Sequence, residues 1–216
     1  QATFCDFYYN LLEILTHIGH SEKVLFMKVF VAVLVLIFSL QSWTKADDIR
    51  DIQIDGMTIG DSALDYFKEN EIKSSRKTIY PGDDKFYKVQ FQSKYNTYEK
   101  IGFHLKKNDN RFIIHELNGR TLMGFNECSE KKNIAVKEIK EILTKVSVEN
   151  YKSDYRNKYG KSFSEVTDLK VERGYIRIYC DDWEEKYTEM NNWQDSFNIS
   201  ASSQEFLNWL NNEAYK

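Results

Sequence analysis

Residues 166–180 read VTDLKVERGYIRIYC, and their alternation decides the fold class. A two-residue turn at Arg173 and Gly174 aligns Leu169, Val171, Ile176, Ile178 and Cys180 on one face, whereas a three-residue turn scatters them. The segment therefore reads as an antiparallel hairpin with one apolar face, and Cys180 points inward. Upstream, Ile101 to Glu116 reads as a second hairpin turning through Lys107, Asn108, Asp109 and Asn110. Pairing Lys106 with Arg111 sets Ile101, Phe103, Leu105, Phe112 and Ile114 toward the core. Gly102, His104, Lys106, Arg111, Ile113 and His115 then face mostly solvent.

The remaining segments extend this pattern. Tyr80 to Asp84 is a turn, after which Tyr87, Val89 and Phe91 alternate with Lys88, Gln90 and Gln92. Ile49 to Ile54 reads as a strand broken at Gly56, and Ser62 with Asp65 opens a helix of about eight residues. From Ser129, Ala135, Ile139, Ile142, Leu143 and Val146 recur at helical spacing, with Cys128 just before the N-terminus. A strand around Phe197 and Ile199 leads to a helix opened by Ser202 and Glu205, burying Phe206, Leu207, Trp209, Leu210 and Ala214. Short turns join consecutive strands, so the expected fold class is α+β, a mainly antiparallel sheet with helices on one face. No linker or repeat divides residues 47–216, which are read as a single domain.

The N-terminal part has another character. Met27 and Lys28 precede an apolar run from Val29 to Phe38, closed by Ser39 and Leu40. That is the pattern of a signal peptide over residues 27–46, cleaved between Ala46 and Asp47. The run is shorter than the roughly 20 apolar residues a spanning helix needs, and a membrane anchor through 29–40 is the alternative. Residues 1–26 are then an upstream or mis-started segment. Removing Cys5 with the leader converts three cysteines into the pair Cys128 and Cys180, 52 residues apart. In an oxidising compartment such a pair is expected to form a disulfide.

A formal charge of −3 with 42% hydrophobic and 15% aromatic residues argues against disorder and leaves no electrostatic footprint for nucleic acid. His104 and His115, diagonal neighbours in the predicted hairpin, lack the third ligand a zinc site needs, so no metal and no cofactor are implied. Tyr159 to Ser162 ends like a phosphate loop, but Tyr155 stands where the first glycine is required. Asp181, Asp182, Glu184 and Glu185 surround Trp183, with Glu165 and Asp168 on the partner strand. Such carboxylates bind calcium or act as an acid and base pair, yet the spacing fits no calcium loop. Trp183, Trp193 and Trp209 add rings that either stack on sugars or peptides or fill the core. Asn198, Ile199 and Ser200 match a glycosylation acceptor, and no nucleophile motif occurs.

The leader, the segment Ile54 to Ser62, the segment Tyr179 to Trp183 and the tryptophan-bearing end together resemble small exported proteins of AT-rich marine alphaproteobacteria. The excess of lysine over arginine, 23 to 7, is in keeping with AT-rich codons. Gly56, Met57 and Thr58 also resemble the helix-opening turn of small outer-membrane assembly lipoproteins, although no lipobox cysteine follows the leader. The resemblance implies export and carries over no activity or site. The expected function is a periplasmic or secreted binding or envelope-interaction module, its partner an envelope protein, a peptide or a sugar. During secretion the partners are signal peptidase and the export machinery. The alternative is a hydrolase using Asp181 and Asp182.

Overall fold

The computed structural model describes residues 48–77, 80, 85–143 and 145–216. The leader, its cleavage between Ala46 and Asp47, residues 1–26, the alternative anchor and the turn at Pro81–Asp84 lie outside the described residues. Seven strands build one antiparallel sheet: β1 (Phe86–Gln92), β2 (Lys100–Lys106), β3 (Ile114–Leu122), β4 (Ser147–Asp154), β5 (Phe163–Val171), β6 (Gly174–Asp182) and β7 (Ser196–Ser203). Their order in space is β1-β2-β3-β7-β6-β5-β4. Two three-stranded meanders thus flank β7, the last strand in sequence and the middle one in space. The helices are α1 (Glu69–Ser74), α2 (Phe125–Ile142), α3 (Arg156–Tyr159), α4 (Glu185–Asn191) and α5 (Gln204–Asn212). The fold is α+β, and the described residues all fall within one compact unit.

The β5–β6 hairpin keeps the face derived from the sequence but not the turn. Val171 pairs with Gly174 and Leu169 with Ile176, so the turn is Glu172–Arg173 and the register moves by two residues. A shift of two preserves which side chains face the core, and Leu169, Ile176, Ile178 and Cys180 are all fully buried. Gly174 is not a turn glycine. A Cβ there would stand 2.5 Å from the Ser202 carbonyl oxygen and 2.8 Å from Ile49 Cβ, so the position requires the absence of a side chain.

The first hairpin departs further. His104 pairs with Glu116, a bulge follows, and Leu105 pairs with Ile114. Asn118, not His115, lies opposite Gly102. The loop is longer than its turn residues imply because tertiary contacts hold it. Ser62 Oγ donates to the Arg111 carbonyl at 2.7 Å, Ala63 N donates to the Phe112 carbonyl, and Phe112 enters the core with φ 51°. β3 then continues six residues past Glu116, to Leu122.

Ile49–Asp51 is a 3₁₀ turn, not a strand. The Asp48 carboxylate accepts from Arg50 N at 3.1 Å and Asp51 reaches back to Asp48 N, local bonds that displace the extended form. Ser62 does cap a helical turn, accepting from Leu64 N, but the helix breaks into Ala63–Asp65 and the later α1. α2 begins at Phe125, so Cys128 lies within its first turns, and Ile142 is exposed. For α5 the cap is Ser203, accepting from Phe206 N, one residue later than expected. β4 and α4 carry no apolar pattern strong enough to announce them.

One sheet face carries the main core. Val89, Ile101, Phe103, Leu105, Leu117, Ile176, Ile178 and Ile199 meet α2 and the segment around Ile52, Ile54 and Met57. Cys128 of α2 is bonded to Cys180 of β6, S–S 1.99 Å, both residues without exposed surface. On the opposite face α5 seats Phe206 and Trp209 against Phe86 and Tyr80, forming a second small cluster at one end. The rest of that face is uncovered by helix among the described residues.

Candidate functional site

β7 reads SFNISASS, and its alternation makes the site. Phe197, Ile199 and Ala201 enter the core, which leaves Ser196, Asn198, Ser200 and Ser202 on the opposite face. Their neighbours are longer. Asn118 and Arg177 flank Ser200, Arg120 and Tyr179 flank Asn198, and Glu116 and Tyr175 flank Ser202. Short side chains on the middle strand between tall ones on each side leave a trough down the sheet, because cross-strand neighbours stand only about 5 Å apart. It holds two cavities of about 490 and 660 Å³ that share Lys88, Glu116, Arg177 and Ser200. The trough spans the sheet from Lys88 on β1 to Tyr151 on β4. At one end stand Phe206, Leu207 and Tyr80. At the other, Tyr155 lines the trough and stacks on Trp183 at 5.6 Å between centroids.

Most charge in the trough is paired. Asp168, almost fully buried, accepts from Arg177 Nε and a terminal guanidinium nitrogen at 2.9 and 3.0 Å, and Arg177 also donates to the Tyr175 hydroxyl at 2.9 Å. This fork holds the guanidinium above its already high range. His104 Nδ1 and Glu116 Oε2 are 2.6 Å apart, both buried, and Asn118 Nδ2 donates to the two Glu116 oxygens at 3.0 and 3.1 Å. The Phe206 ring lies 4.6 Å from the His104 ring.

Asp181 is a third acid of the trough face, half-buried. Its oxygens accept from Ser164, from Asn198 Nδ2 at 3.1 Å and from Ser196 Oγ at 3.4 Å. Burial still pushes the carboxyl above its ordinary range, outweighing these donors and the Arg120 charge. Burial likewise drives the Tyr175 and Tyr179 hydroxyls well above theirs, so both are neutral donors at physiological pH.

The residues singled out in the sequence are dispersed by this arrangement. Asp181 faces the trough, whereas Asp182, the next residue on β6, points to the other side, where burial and Asp195 raise its carboxyl. The two therefore do not face one another. Trp183 belongs to a partly exposed group of rings with Tyr155, Tyr159, Tyr187 and Trp193. His104 is not solvent-facing. It lies beneath α5, and His115 turns to Glu205 at 3.6 Å and to the Phe86 ring. Among the described residues no three His, Cys, Asp or Glu side chains are grouped to hold a metal ion. Asn198 of the glycosylation pattern is buried and donates to Asp181. Sequence reasoning passed over Lys88, Asn118, Arg120 and Ser200, whose signal was the small polar residue at every second position of β7. The chain matches no family model, no curated protein and no solved structure, so the reading of this site rests on its own geometry.

Proposed function

We propose that this protein is an exported, non-enzymatic binding module whose trough receives a small polar ligand. The observation that carries the reading is the run of serine and asparagine along the central strand, between tall polar neighbours, which leaves about 490 Å³ lined by hydrogen-bonding groups. That volume falls within the roughly 300–1,000 Å³ of small-molecule sites. Preformed pairs such as Asp168 with Arg177 hold the walls without needing the ligand, which lowers the ordering cost of binding.

Export is supported by the leader pattern at Met27–Ala46 and by a disulfide, a bond that persists mainly in oxidising compartments. Among the described residues no helix is long and apolar enough to cross a membrane. The hydrolase alternative has less support, since Asp181 and Asp182 face opposite ways and Asp181 is held by three donors. N-terminal sequencing of the exported product should give Asp47, and a start upstream of Met27 would overturn the leader.

Ser200 lines both cavities, so Ser200→Trp should fill the trough. Small molecules released by denaturing the purified chain are expected to be present for the wild type and absent for the variant, by mass spectrometry. Equal recovery from both, with the variant folded by circular dichroism, would sink the trough as the ligand site.

A further inference from the structure

Two cations of the trough stand outside its carboxylate pairs. Arg120 lines the 490 Å³ cavity, has no carboxylate within 4.0 Å among the described residues, and makes one long hydrogen bond, 3.3 Å to the Gln194 carbonyl. Its Nε is buried without a hydrogen-bond partner. Asp181, an acid of the same face that feels the Arg120 charge, has its oxygens taken up by Ser164, Ser196 and Asn198. Lys88 lines both cavities, and no ion pair among the described residues includes it.

The sheet brings these two charges to opposite sides of one residue. Arg120 follows Asn118 by two positions on β3, hence on the same face about 7 Å along the strand. Lys88 reaches Asn118 from the other direction, across Gly102. A Cβ at Gly102 would stand 3.0 Å from Lys88 Cε and 2.9 Å from Asn118 Oδ1, so the missing side chain is the space the lysine crosses. Of the four cations lining the trough, Arg177 is paired with Asp168 and Lys170 with Glu149, which leaves Lys88 and Arg120 without an ion pair among the described residues. Two cations without an ion pair, set in one recess, attract an oppositely charged ligand to it.

Building on the trough as a ligand site, we infer that its occupant is a small organic oxyanion, a carboxylate or a phosphate monoester with a polar body, and that Arg120 and Lys88 are its counter-charges. Arg120 Nε supplies a charge-assisted donor that the protein leaves unused, and Lys88 supplies a mobile point charge. Ser200 and the Asn118 amide oxygen remain for the polar body, beside Tyr155, whose hydroxyl is hydrogen-bonded to Ser164.

The test titrates the full chain with three probes that share one body: glucose 6-phosphate, glucuronate and glucose. Binding is followed by the Arg120 Nε–H signal and the β7 amides in ¹H–¹⁵N spectra. At least one charged sugar is expected to bind more tightly than glucose and to shift the Arg120 signal, and which of the two does so separates phosphate from carboxylate. Arg120→Gln and Lys88→Gln should each weaken it about tenfold while leaving the remaining spectrum in place. Glucose bound as tightly as the charged sugars, and lost in Ser200→Trp, would overturn the charge inference and keep the trough. Unaltered affinity for the charged sugars in both glutamine variants would overturn it too, as would the absence of any shift with all three probes.

Discussion

A single missing side chain decides how β6 meets its neighbours. Gly174 allows the Ser202 carbonyl and Ile49 to approach where a Cβ would stand, and both belong to the buried structure. Gly174→Ala should therefore cost about 1–3 kcal/mol through overpacking, read as a lower urea midpoint at unchanged slope. An unshifted midpoint would mean that the contact relaxes freely. Asp181 carries a pH dependence whose sign follows from burial. Its pKa is raised in the fold, so its neutral form favours folding, fully so below the unfolded value of about 3.9, and that advantage fades as pH rises through the folded pKa. Asp181→Asn, uncharged at every pH, should raise Tm relative to wild type at about pH 7, and the gain should shrink toward about pH 3. A gain of equal size at both would rule out ionisation as the cause.

At the scale of elements, α5 is held by few residues. Trp209 is fully buried, with ring centroids 4.9 Å from Tyr80, 5.0 Å from Phe86 and 5.6 Å from Phe206. Trp209→Ala should cost about 3–5 kcal/mol and release the helix that closes one end of the trough. Hydrogen exchange would then speed up in α5 and β1 before the sheet centre, and uniform acceleration would contradict a separate cluster. β4 is the opposite case, an edge strand with Glu149, Lys152 and Asp154 spread along it, a composition that discourages pairing with another chain. α4 ends where Asn192 adopts the left-handed conformation, φ 54°.

For the whole molecule, the disulfide ties α2 to the sheet. It closes a 52-residue loop, worth about 4 kcal/mol in the chain-entropy account. Reduction, or the paired change Cys128→Ala and Cys180→Ala, should lower Tm by roughly 10 °C for a domain of this size. A reductant that leaves thermal unfolding unchanged would show the bond to be energetically idle. Several features of the fold were legible in the residues themselves. Alternation from Val166 to Cys180 specified an antiparallel hairpin with Cys180 inward, because a two-residue period admits only two faces. Helical spacing marked α2 and α5, and odd cysteine arithmetic left Cys128 and Cys180 as partners. Tertiary structure alone decided the rest. The sheet order puts β7, last in sequence, between β3 and β6, and no local rule states which strands a late segment will join. Register shifted wherever a distant group captured the chain, as Ser62 and Ala63 capture the loop at Arg111 and Phe112. The trough depends on that order. Lys88, Asn118, Arg120 and Ser200 look like ordinary polar residues along the chain, and they line one cavity because pairing across β1, β2, β3 and β7 brings them to one face.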